Sequence, residues 1–469
     1  MKLYHNKTLF LLACMALIFN ACTTDDDPVI GDSDATETET INLADSTAEL
    51  IVQWSDLFVT IDQHTIDMRP NSVTRSLAYI HLTGYETAVP FMDTYNSNTQ
   101  RFNELSIDTD VFETDIDLEI ALNEAYGEAL SHFMFSIAGF AQTSISEFRN
   151  EKLETYSQGL SEEVIERSRR WGRHVARRVI AYSETDEAGE DQIRNPTPAD
   201  YIAPVGEGLW AAGENEDAWF PYWREVRTFA IGPEATSTTP FTSLFSYSTK
   251  AESAYYTSMT AVYETATAAA TDNAEELWIA EFWADDVEGL MISPPGRQFS
   301  IANQLIAQYE LGYERTLELL LRLGFALNDA AVSAWDDKYT YNTQRPSTYI
   351  NETIDKEFTT NLARFVVAPN PAFPSYPSGH ATFAGAAGGV FIAFFGTDDV
   401  AFTDNTYLGF DYVTEFNGTP RSFDSFTEMA YENAYSRVPL GVHILEDATE
   451  GLRLGYEIAE AVNGLQLSN

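Results

Sequence analysis

Apolar residues recur every three or four positions through most of this chain, and this spacing constrains the fold more than any other feature of the sequence. Residues spaced in this way share one face of an α-helix, and a helix with one apolar face must bury it against a neighbour. No run of alternating apolar and polar residues is long enough to predict a major sheet. The pattern therefore predicts an all-α fold of helical bundles with long connecting loops. Helical spacing is clearest in segments 72–90, 161–182 and 298–323 and after Ser378 and Ser436, and the loops are predicted in 187–247.

One predicted helix, which begins at the N-cap residue Ser161, carries six arginines. They can form an anion-binding face, or they can lie in solvent and pair with the many carboxylates of the chain. The second interpretation is favoured, because a charged helix face is most often solvated and paired. The six residues are Arg167, Arg169, Arg170, Arg173, Arg177 and Arg178.

The chain is strongly acidic. Its 469 residues include 72 Asp and Glu against 27 Lys and Arg, which gives a formal net charge of -45. This charge repels the phosphates of nucleic acids and anionic membrane surfaces, so nucleic acid is excluded as a partner. A site that gathers several basic residues in such a chain is therefore expected to hold an anionic ligand.

The N-terminus has the features of an export signal. Two lysines precede an apolar run that is too short to span a bilayer, and the run ends at Cys22 in a lipobox-like sequence. We expect residues 1–21 to be a lipoprotein signal peptide and Cys22 to carry the lipid; the alternative is an ordinary secretory signal cleaved near Ala21. The acidic residues 22–45 are predicted to be a flexible linker. An exported protein is expected, anchored at the outer membrane only through its lipid, on the periplasmic or the cell-surface side.

Residues 46–469 are predicted to form a single α-helical domain, with its chemistry-bearing motifs in 335–450. Because Cys14 belongs to the signal and Cys22 is lipidated, this domain contains no cysteine. That excludes a disulfide, a cysteine nucleophile and a thiolate metal site. Three motifs hold the candidate site residues: Lys338 with Arg345-Pro346, then Pro377-Ser378-Gly379-His380, then Arg437 with His443 and Asp447.

The basic and small residues of these motifs are suited to a tetrahedral oxyanion. Ser378 is a natural N-cap, Gly379 lets the backbone approach a ligand, and the N–H groups of a helix N-terminus bind anions. Lys338, Arg345 and Arg437 can supply three positive charges and forked donors.

The two histidines of the motifs can supply the chemistry. His443 and Asp447 are four positions apart and are predicted to share a helix face. The carboxylate can then accept from one imidazole nitrogen and leave the other to act as nucleophile or metal ligand. His380 is a candidate acid–base group. Each motif alone usually has a structural role, but the three in this order and spacing are specific.

The patterns Lys-x6-Arg-Pro, Pro-Ser-Gly-His and Ser-Arg-x5-His-x3-Asp resemble the three-part signature of the type-2 phosphatidic acid phosphatase superfamily, which includes the vanadium-dependent haloperoxidases. Every position of the signature is matched within residues 335–450. The resemblance implies two four-helix-bundle-like units. It also implies a site that holds vanadate in the haloperoxidases and phosphate in the phosphatases.

For a haloperoxidase, the resemblance implies that His443 is the vanadium ligand and that Asp447 orients it. It assigns His380 to peroxide binding and proton transfer, and Lys338 to polarising the bound peroxide. The substrates would be hydrogen peroxide and a halide, and the hypohalous product would halogenate a small organic acceptor. The other contacts to the vanadate oxygens would come from Lys338, Arg345, Ser378, the Gly379 N–H and Arg437.

Two other functions could use the same residues. An exported acid phosphatase would use His443 as a nucleophile that forms a phosphohistidine, and His380 to protonate the leaving group. A non-catalytic surface lipoprotein would only bind an oxyanion, and it would not need an oriented histidine. The haloperoxidase is favoured because the chain is much longer than a minimal phosphatase of this kind and lacks the several membrane spans of the lipid phosphatases.

Two aromatic residues bear on the halide, for which we expect iodide, with bromide as the alternative. Trp335 lies three positions before Lys338, and Phe373 stands where the algal bromoperoxidases carry a second histidine. This pair resembles that of fungal chloroperoxidases and of bacterial iodoperoxidases, although ordinary core packing would explain it equally well. Iodide is the halide most easily oxidised, which favours an iodoperoxidase-like activity.

Overall fold

The computed structural model describes residues 45–468 except 66–67, 69, 113, 213–216, 286, 365–369 and 409–416. All of these described residues belong to one compact unit. The predicted signal peptide, the lipidation site Cys22 and all of the acidic linker except Asp45 lie outside the described residues, so they stay predictions.

Fifteen α-helices and one two-stranded antiparallel sheet form the regular structure of the described residues, which confirms the all-α prediction. In the sheet, β1 (Phe402–Asp404) pairs with β2 (Arg421–Phe423), and Phe402 lies opposite Phe423. Short 3-10 helices span Val89–Phe91, Asn98–Gln100, Thr109–Val111, Trp223–Glu225 and Asn361–Arg364. The α-helices are α1 (Ser46–Gln63), α2 (Asn71–Ala88), α3 (Leu118–Phe133), α4 (Gly139–Tyr156), α5 (Glu162–Glu184), α6 (Glu187–Arg194), α7 (Phe241–Leu244), α8 (Ala254–Thr271), α9 (Ala274–Phe282), α10 (Pro294–Gln308), α11 (Tyr313–Tyr341), α12 (Pro346–Thr353), α13 (Gly379–Phe395), α14 (Phe426–Tyr435) and α15 (Leu445–Asn463).

Side-chain caps begin many of these helices. Asp45 accepts from Ala48 N at 2.6 Å at the start of α1, and Ser161 accepts from Val164 N at 3.4 Å at the start of α5. Such caps satisfy N–H groups that have no partner within the helix. The N-cap predicted at Ser161 is therefore confirmed.

The segment 298–323, predicted as one helical run, is divided between two helices. α10 ends at Gln308 and α11 begins at Tyr313, and Glu310 between them has φ 48°. A positive φ does not fit a right-handed helix, so the chain turns here. α11 then continues for 29 residues, which makes it the longest helix of the described chain.

The helices pack as two bundles that share α11. In the first bundle α3 contacts α1, α2 and α5, and α2 also contacts α5; in the second, α13, α14 and α15 contact one another. α11 packs against α2 on the first side and against α13 and α15 on the other. Because α11 carries Lys338 near its C-terminal end, this packing places the first motif beside the helices that carry the other two.

The arginine-rich helix α5 pairs with carboxylates. Arg169 and Arg173 both reach the buried Glu124 of α3, at 2.6 and 3.5 Å, and Arg167 lies 3.9 Å from Asp115. These ion pairs agree with the structural interpretation of the six arginines rather than with an anion-binding face.

The longest apolar stretch of the described chain, 381–396, forms most of α13, and most of its side chains are buried. It is a core helix of the second bundle. Within the residues that the structure describes, no helix combines the length and the apolar character needed to cross a bilayer.

Glycines let α13 and α15 approach each other closely. A Cβ added at Gly385 would overlap the carbonyl of Leu452, and a Cβ added at Gly455 would overlap the carbonyl of Thr382. The helices therefore touch through their backbones, without intervening side chains. Both begin at the candidate site, so this contact fixes the two helix N-termini relative to each other.

We predict that Gly455→Ala lowers the free energy of unfolding by about 1–3 kcal/mol, because the added methyl group must push α13 and α15 apart. Denaturant titration measures the change. Gly139→Ala is the matched control, since a Cβ at Gly139 meets no atom within 4 Å. Equal stability of Gly455→Ala and the unsubstituted protein would contradict the close contact.

Candidate functional site

The first motif lies at the C-terminal end of α11 and in the turn that follows. Lys338 is in the last turn of the helix, and Asn342 ends the helix in the left-handed conformation, at φ 46° and ψ 44°. Asparagine adopts this conformation more readily than most residues. The chain then extends to Arg345, and it is held by Gln344 N, which donates to Gly208 O at 3.0 Å. The turn thus brings both cations of the motif to one place.

Lys338 is fully buried. Its Nζ donates to three main-chain carbonyls of the second motif, those of Pro374, Ser375 and Pro377, at 3.1, 2.8 and 2.6 Å. Carbonyl dipoles replace part of the hydration that an ammonium group loses on burial. Lys338 therefore connects α11 to the loop that leads into α13.

Arg345 connects the second motif to the third. Its Nε donates to Phe373 O at 3.1 Å and its Nη1 donates to Val442 O at 3.2 Å. The same Nη1 lies 3.0 Å from Nε2 of His443. A guanidinium group has only donors, so Nε2 must accept this bond, and the proton of the neutral imidazole must be on Nδ1.

His443 and Asp447 form the predicted pair, with His443 Nδ1 2.9 Å from Asp447 Oδ2. The predicted reason is wrong, because the two residues do not share a helix face. α15 begins only at Leu445, so His443 precedes the helix and Asp447 lies in its first turn. Gly441, at φ 87°, allows the turn that brings the chain to His443.

The surroundings of His443 favour the neutral imidazole. Burial lowers the pKa of His443 well below its ordinary value, and the positive charges of Arg345, Lys338 and Arg437 and the neighbouring His380 lower it further. At neutral pH the ring therefore keeps a lone pair on Nε2. Arg345, Lys338, Arg437 and His380 were predicted from separate motifs, and all four act electrostatically on this one imidazole.

Asp447 has a partner that the sequence did not predict. The hydroxyl of Ser375 donates to Asp447 Oδ2 at 2.6 Å and lies 3.2 Å from His443 Nδ1. Burial raises the pKa of Asp447 to about 6, and the bond from Ser375 and the charges of Lys338 and Arg345 oppose that rise. Asp447 is therefore ionised above about pH 6 and can accept from both neighbours.

The second motif forms the N-terminus of α13, as predicted. Ser378 is the N-cap and accepts from Ala381 N at 3.4 Å, while its own N–H donates to Asp447 O at 3.0 Å. A Cβ at Gly379 would lie 3.8 Å from Cε of Lys338, so the first turn of the helix borders the lysine. His380, in the same turn, is buried with 7% of its surface exposed.

Arg437 is anchored from the other side of the site. Its Nη1 donates to Trp283 O at 3.1 Å and to Ala284 O at 3.4 Å. The segment 281–297 thus contacts Arg437 through main-chain carbonyls. Arg297 of that segment lies in a separate buried cluster with Asp285 and Asp404, at 3.2 and 2.9 Å. Asp286 lies outside the described residues.

Trp335 and Phe373 lie beside the cations. Their ring centroids are 4.9 Å apart, and Lys338 Nζ is 5.6 Å from the Trp335 ring and 5.1 Å from the Phe373 ring. The Arg345 guanidinium is also 5.1 Å from the Phe373 ring. These aromatic faces contribute cation–π attraction to the buried charges and give one wall of the site an apolar character.

Buried cations gathered around a neutral, carboxylate-oriented histidine form a candidate oxyanion site, here placed in an all-α double bundle. Residues 318–467 match the family model described as the VCPO second helical-bundle domain. The solved structure of a bacterial vanadium-dependent iodoperoxidase is similar, with a TM-score of 0.76 and 26% identity over 90% of this chain and 98% of that one. These matches and those to the curated relatives below show that the chain is similar to vanadium haloperoxidases, in sequence over its C-terminal third and in fold over most of its length.

Two curated relatives match in sequence. A vanadium chloroperoxidase of Curvularia inaequalis is 26% identical over 214 residues, which are 36% of this chain and 35% of the relative. A vanadium-dependent bromoperoxidase of Ascophyllum nodosum is 30% identical over 167 residues, 34% of this chain and 26% of the relative. The matches thus span about a third of these relatives or less. A holo-type bacterial vanadium-dependent chloroperoxidase, at 16% identity and a TM-score of 0.63, shares the fold.

We predict that Asp447→Asn weakens the binding of orthovanadate by about 10–100-fold, because His443 loses the acceptor that orients its ring, and affects inorganic phosphate, which the imidazole does not ligate, much less. Isothermal titration calorimetry on the purified protein measures both affinities. Asp186→Asn is the control: it removes a buried carboxylate that binds Arg75 at 3.2 Å in the first bundle. It should lower stability and leave both affinities unchanged. Unchanged orthovanadate affinity in Asp447→Asn would refute the proposed orienting role.

Proposed function

We propose that the protein is a vanadate-dependent haloperoxidase that uses hydrogen peroxide to oxidise a halide, iodide in preference to bromide, to a hypohalous species. The observation that carries this proposal is the Nε2 lone pair of a neutral His443 held among buried cations. The match of residues 318–467 to the VCPO second helical-bundle domain and the similarity to a bacterial iodoperoxidase support it.

The residues of the site fit vanadate. A tetrahedral oxyanion needs several donors and positive charges around it, and Lys338, Arg345 and Arg437 are all at most 1% exposed within this one site. A metal ion also needs a ligand atom with a lone pair, which His443 Nε2 has; Arg345 donates to it here and would release it to the metal. At Gly379 a Cβ would lie only 3.2 Å from the Trp335 ring, so the close packing of Trp335 on the N-terminus of α13 requires a glycine or a shift of the ring.

Vanadate, when bound, supplies a Lewis acid that activates hydrogen peroxide toward halide without a change of oxidation state. His443 Nε2 would be its protein ligand, and Asp447 would hold the proton on Nδ1 so that Nε2 stays a lone-pair donor. Lys338, Arg345 and Arg437 would neutralise the oxyanion charge. Ser378 and the Gly379 N–H would bind further oxygens at the N-terminus of α13.

We propose that His380 moves protons in the reaction. It lies in the first turn of α13, next to the residues that would bind the oxyanion, and its charge acts on His443. An imidazole can accept a proton as peroxide binds and return one as water leaves. Lys338, held by three carbonyls, would keep its positive charge beside the reacting oxygens.

The halide preference is proposed from Trp335 and Phe373. Both rings flank the Lys338 ammonium, and Trp335 is buried to 1% exposure. An anion that enters this region exchanges hydration for an aromatic surface next to a positive charge. Iodide, which is large and weakly hydrated, loses least in that exchange, and burying a strongly hydrated anion costs more.

The function is tested on the purified protein with orthovanadate, hydrogen peroxide and iodide or bromide, and in parallel with a phosphate monoester without vanadate. We expect vanadate-dependent halide oxidation, faster with iodide, and its loss in His443→Ala because the ligand atom is removed. Phosphate release without any halide oxidation would establish the exported acid phosphatase instead. Oxyanion binding without either activity would establish the binding lipoprotein.

We predict that Phe373→His raises the ratio of bromide to iodide oxidation several-fold, because an imidazole adds a polar donor beside Lys338 and Arg345. Steady-state assays with each halide at a fixed peroxide concentration measure the ratio. Phe373→Tyr is the control that keeps an aromatic ring of similar size. An unchanged ratio in Phe373→His would remove Phe373 from the residues that select the halide.

A further inference from the structure

We infer that Ser375 is a positioning residue: its hydroxyl fixes the carboxylate of Asp447 and thereby selects the His443 tautomer with its lone pair on Nε2, the atom that accepts from Arg345 here and that would ligate vanadate. The inference rests on the proposed use of His443 Nε2 as the ligand atom. It concerns a residue outside the three sequence motifs.

The hydrogen-bond directions around His443 form one consistent set. Ser375 has a single hydroxyl proton, and the 2.6 Å distance to Asp447 Oδ2 assigns it to the carboxylate. The hydroxyl oxygen, 3.2 Å from His443 Nδ1, can then only accept from that nitrogen. On the far side of the ring, Arg345 Nη1 donates to Nε2. Nδ1 therefore carries the proton. In the opposite tautomer the N–H on Nε2 would face an N–H of Arg345, and the lone pair on Nδ1 would face the hydroxyl oxygen of Ser375.

Asp447 needs this second donor. Its Oδ2 receives the bonds from His443 and Ser375, whereas its Oδ1 has no hydrogen-bond partner among the residues that the structure describes. Rotation of a carboxylate about its terminal torsion is only weakly restricted by the side chain itself. With His443 as its one remaining side-chain donor, the carboxylate could turn and take the imidazole with it.

The hydroxyl of Ser375 can be removed without removing the other contacts of the residue. Its N–H donates to Thr343 O at 3.0 Å, and its carbonyl accepts from Lys338 Nζ at 2.8 Å. Alanine keeps both of these main-chain bonds. The side chain is 2% exposed, so water does not readily replace the lost hydroxyl.

The first test compares the affinity for orthovanadate by calorimetry in the full chain. We expect Ser375→Ala to bind orthovanadate about 10–100-fold more weakly, the range for groups that orient a metal-ligating histidine. Ser375→Thr, which keeps the hydroxyl, should restore most of the affinity. Ser76→Ala is the matched control, since Ser76 is a buried serine of α2 that donates to Ser72 O and Phe133 O. It should leave the orthovanadate affinity unchanged.

The second test reads the tautomer directly by nuclear magnetic resonance with ¹⁵N-labelled histidine, in a chain that contains seven histidines. The signals of His443, assigned by their loss in His443→Ala, should show a proton on Nδ1 alone. In Ser375→Ala they should shift toward a mixture of tautomers. Wild-type orthovanadate affinity together with an unchanged tautomer would overturn the inference. Absence of halide oxidation in the unsubstituted protein, with the tautomer shift present, would instead overturn the proposed function.

Discussion

Burial of three cations around one imidazole is the constraint on which the rest of the site depends. Removing a charged group from water costs several kcal/mol, and partners must offset that cost. Main-chain carbonyls offset part of this cost. Those of Pro374, Ser375 and Pro377 accept hydrogen bonds from Lys338, and those of Trp283 and Ala284 accept from Arg437. The loops that present these carbonyls must therefore keep their shape, which explains why long irregular segments lie between so many capped helices.

The same cations set the protonation state of the site. A buried histidine close to positive charge loses its proton, and the pKa of His443 is low for both reasons, burial first. One arrangement thus provides both the attraction for an oxyanion and the lone pair that would bind its central atom. Asp447 and Ser375 determine the tautomer of His443, that is, which of its two ring nitrogens carries the remaining proton.

Much of this could be predicted from the sequence because it depends on residue type and spacing. Helical periodicity gave the all-α fold, and three short motifs located the cations and both histidines. The break at Glu310 was missed because apolar spacing continues on both sides of it. The pairing of His443 with Asp447 was predicted on a helix that begins only at Leu445, since a spacing of four suits a helix and also a turn that leads into one.

The partners of the site residues were beyond prediction for a different reason. Every residue carries a carbonyl, so nothing in the sequence distinguishes those of Pro374 or Trp283 as ligands of a buried cation. Ser375 is one serine in a proline-rich loop, and only the folded chain shows that its hydroxyl faces Asp447. A sequence shows which side chains could take part in a site, but it does not show which main-chain groups will contact them.

The glycine contact between α13 and α15 has a consequence for how the protein would meet its ligand. Helices that touch backbone to backbone cannot slide or tilt independently, because no flexible side chain lies between them to absorb the motion. Ser378 at the start of one helix and Asp447 in the first turn of the other therefore move as a single body. An oxyanion that arrives would find its donors already in place, and little conformational entropy would be lost in gathering them.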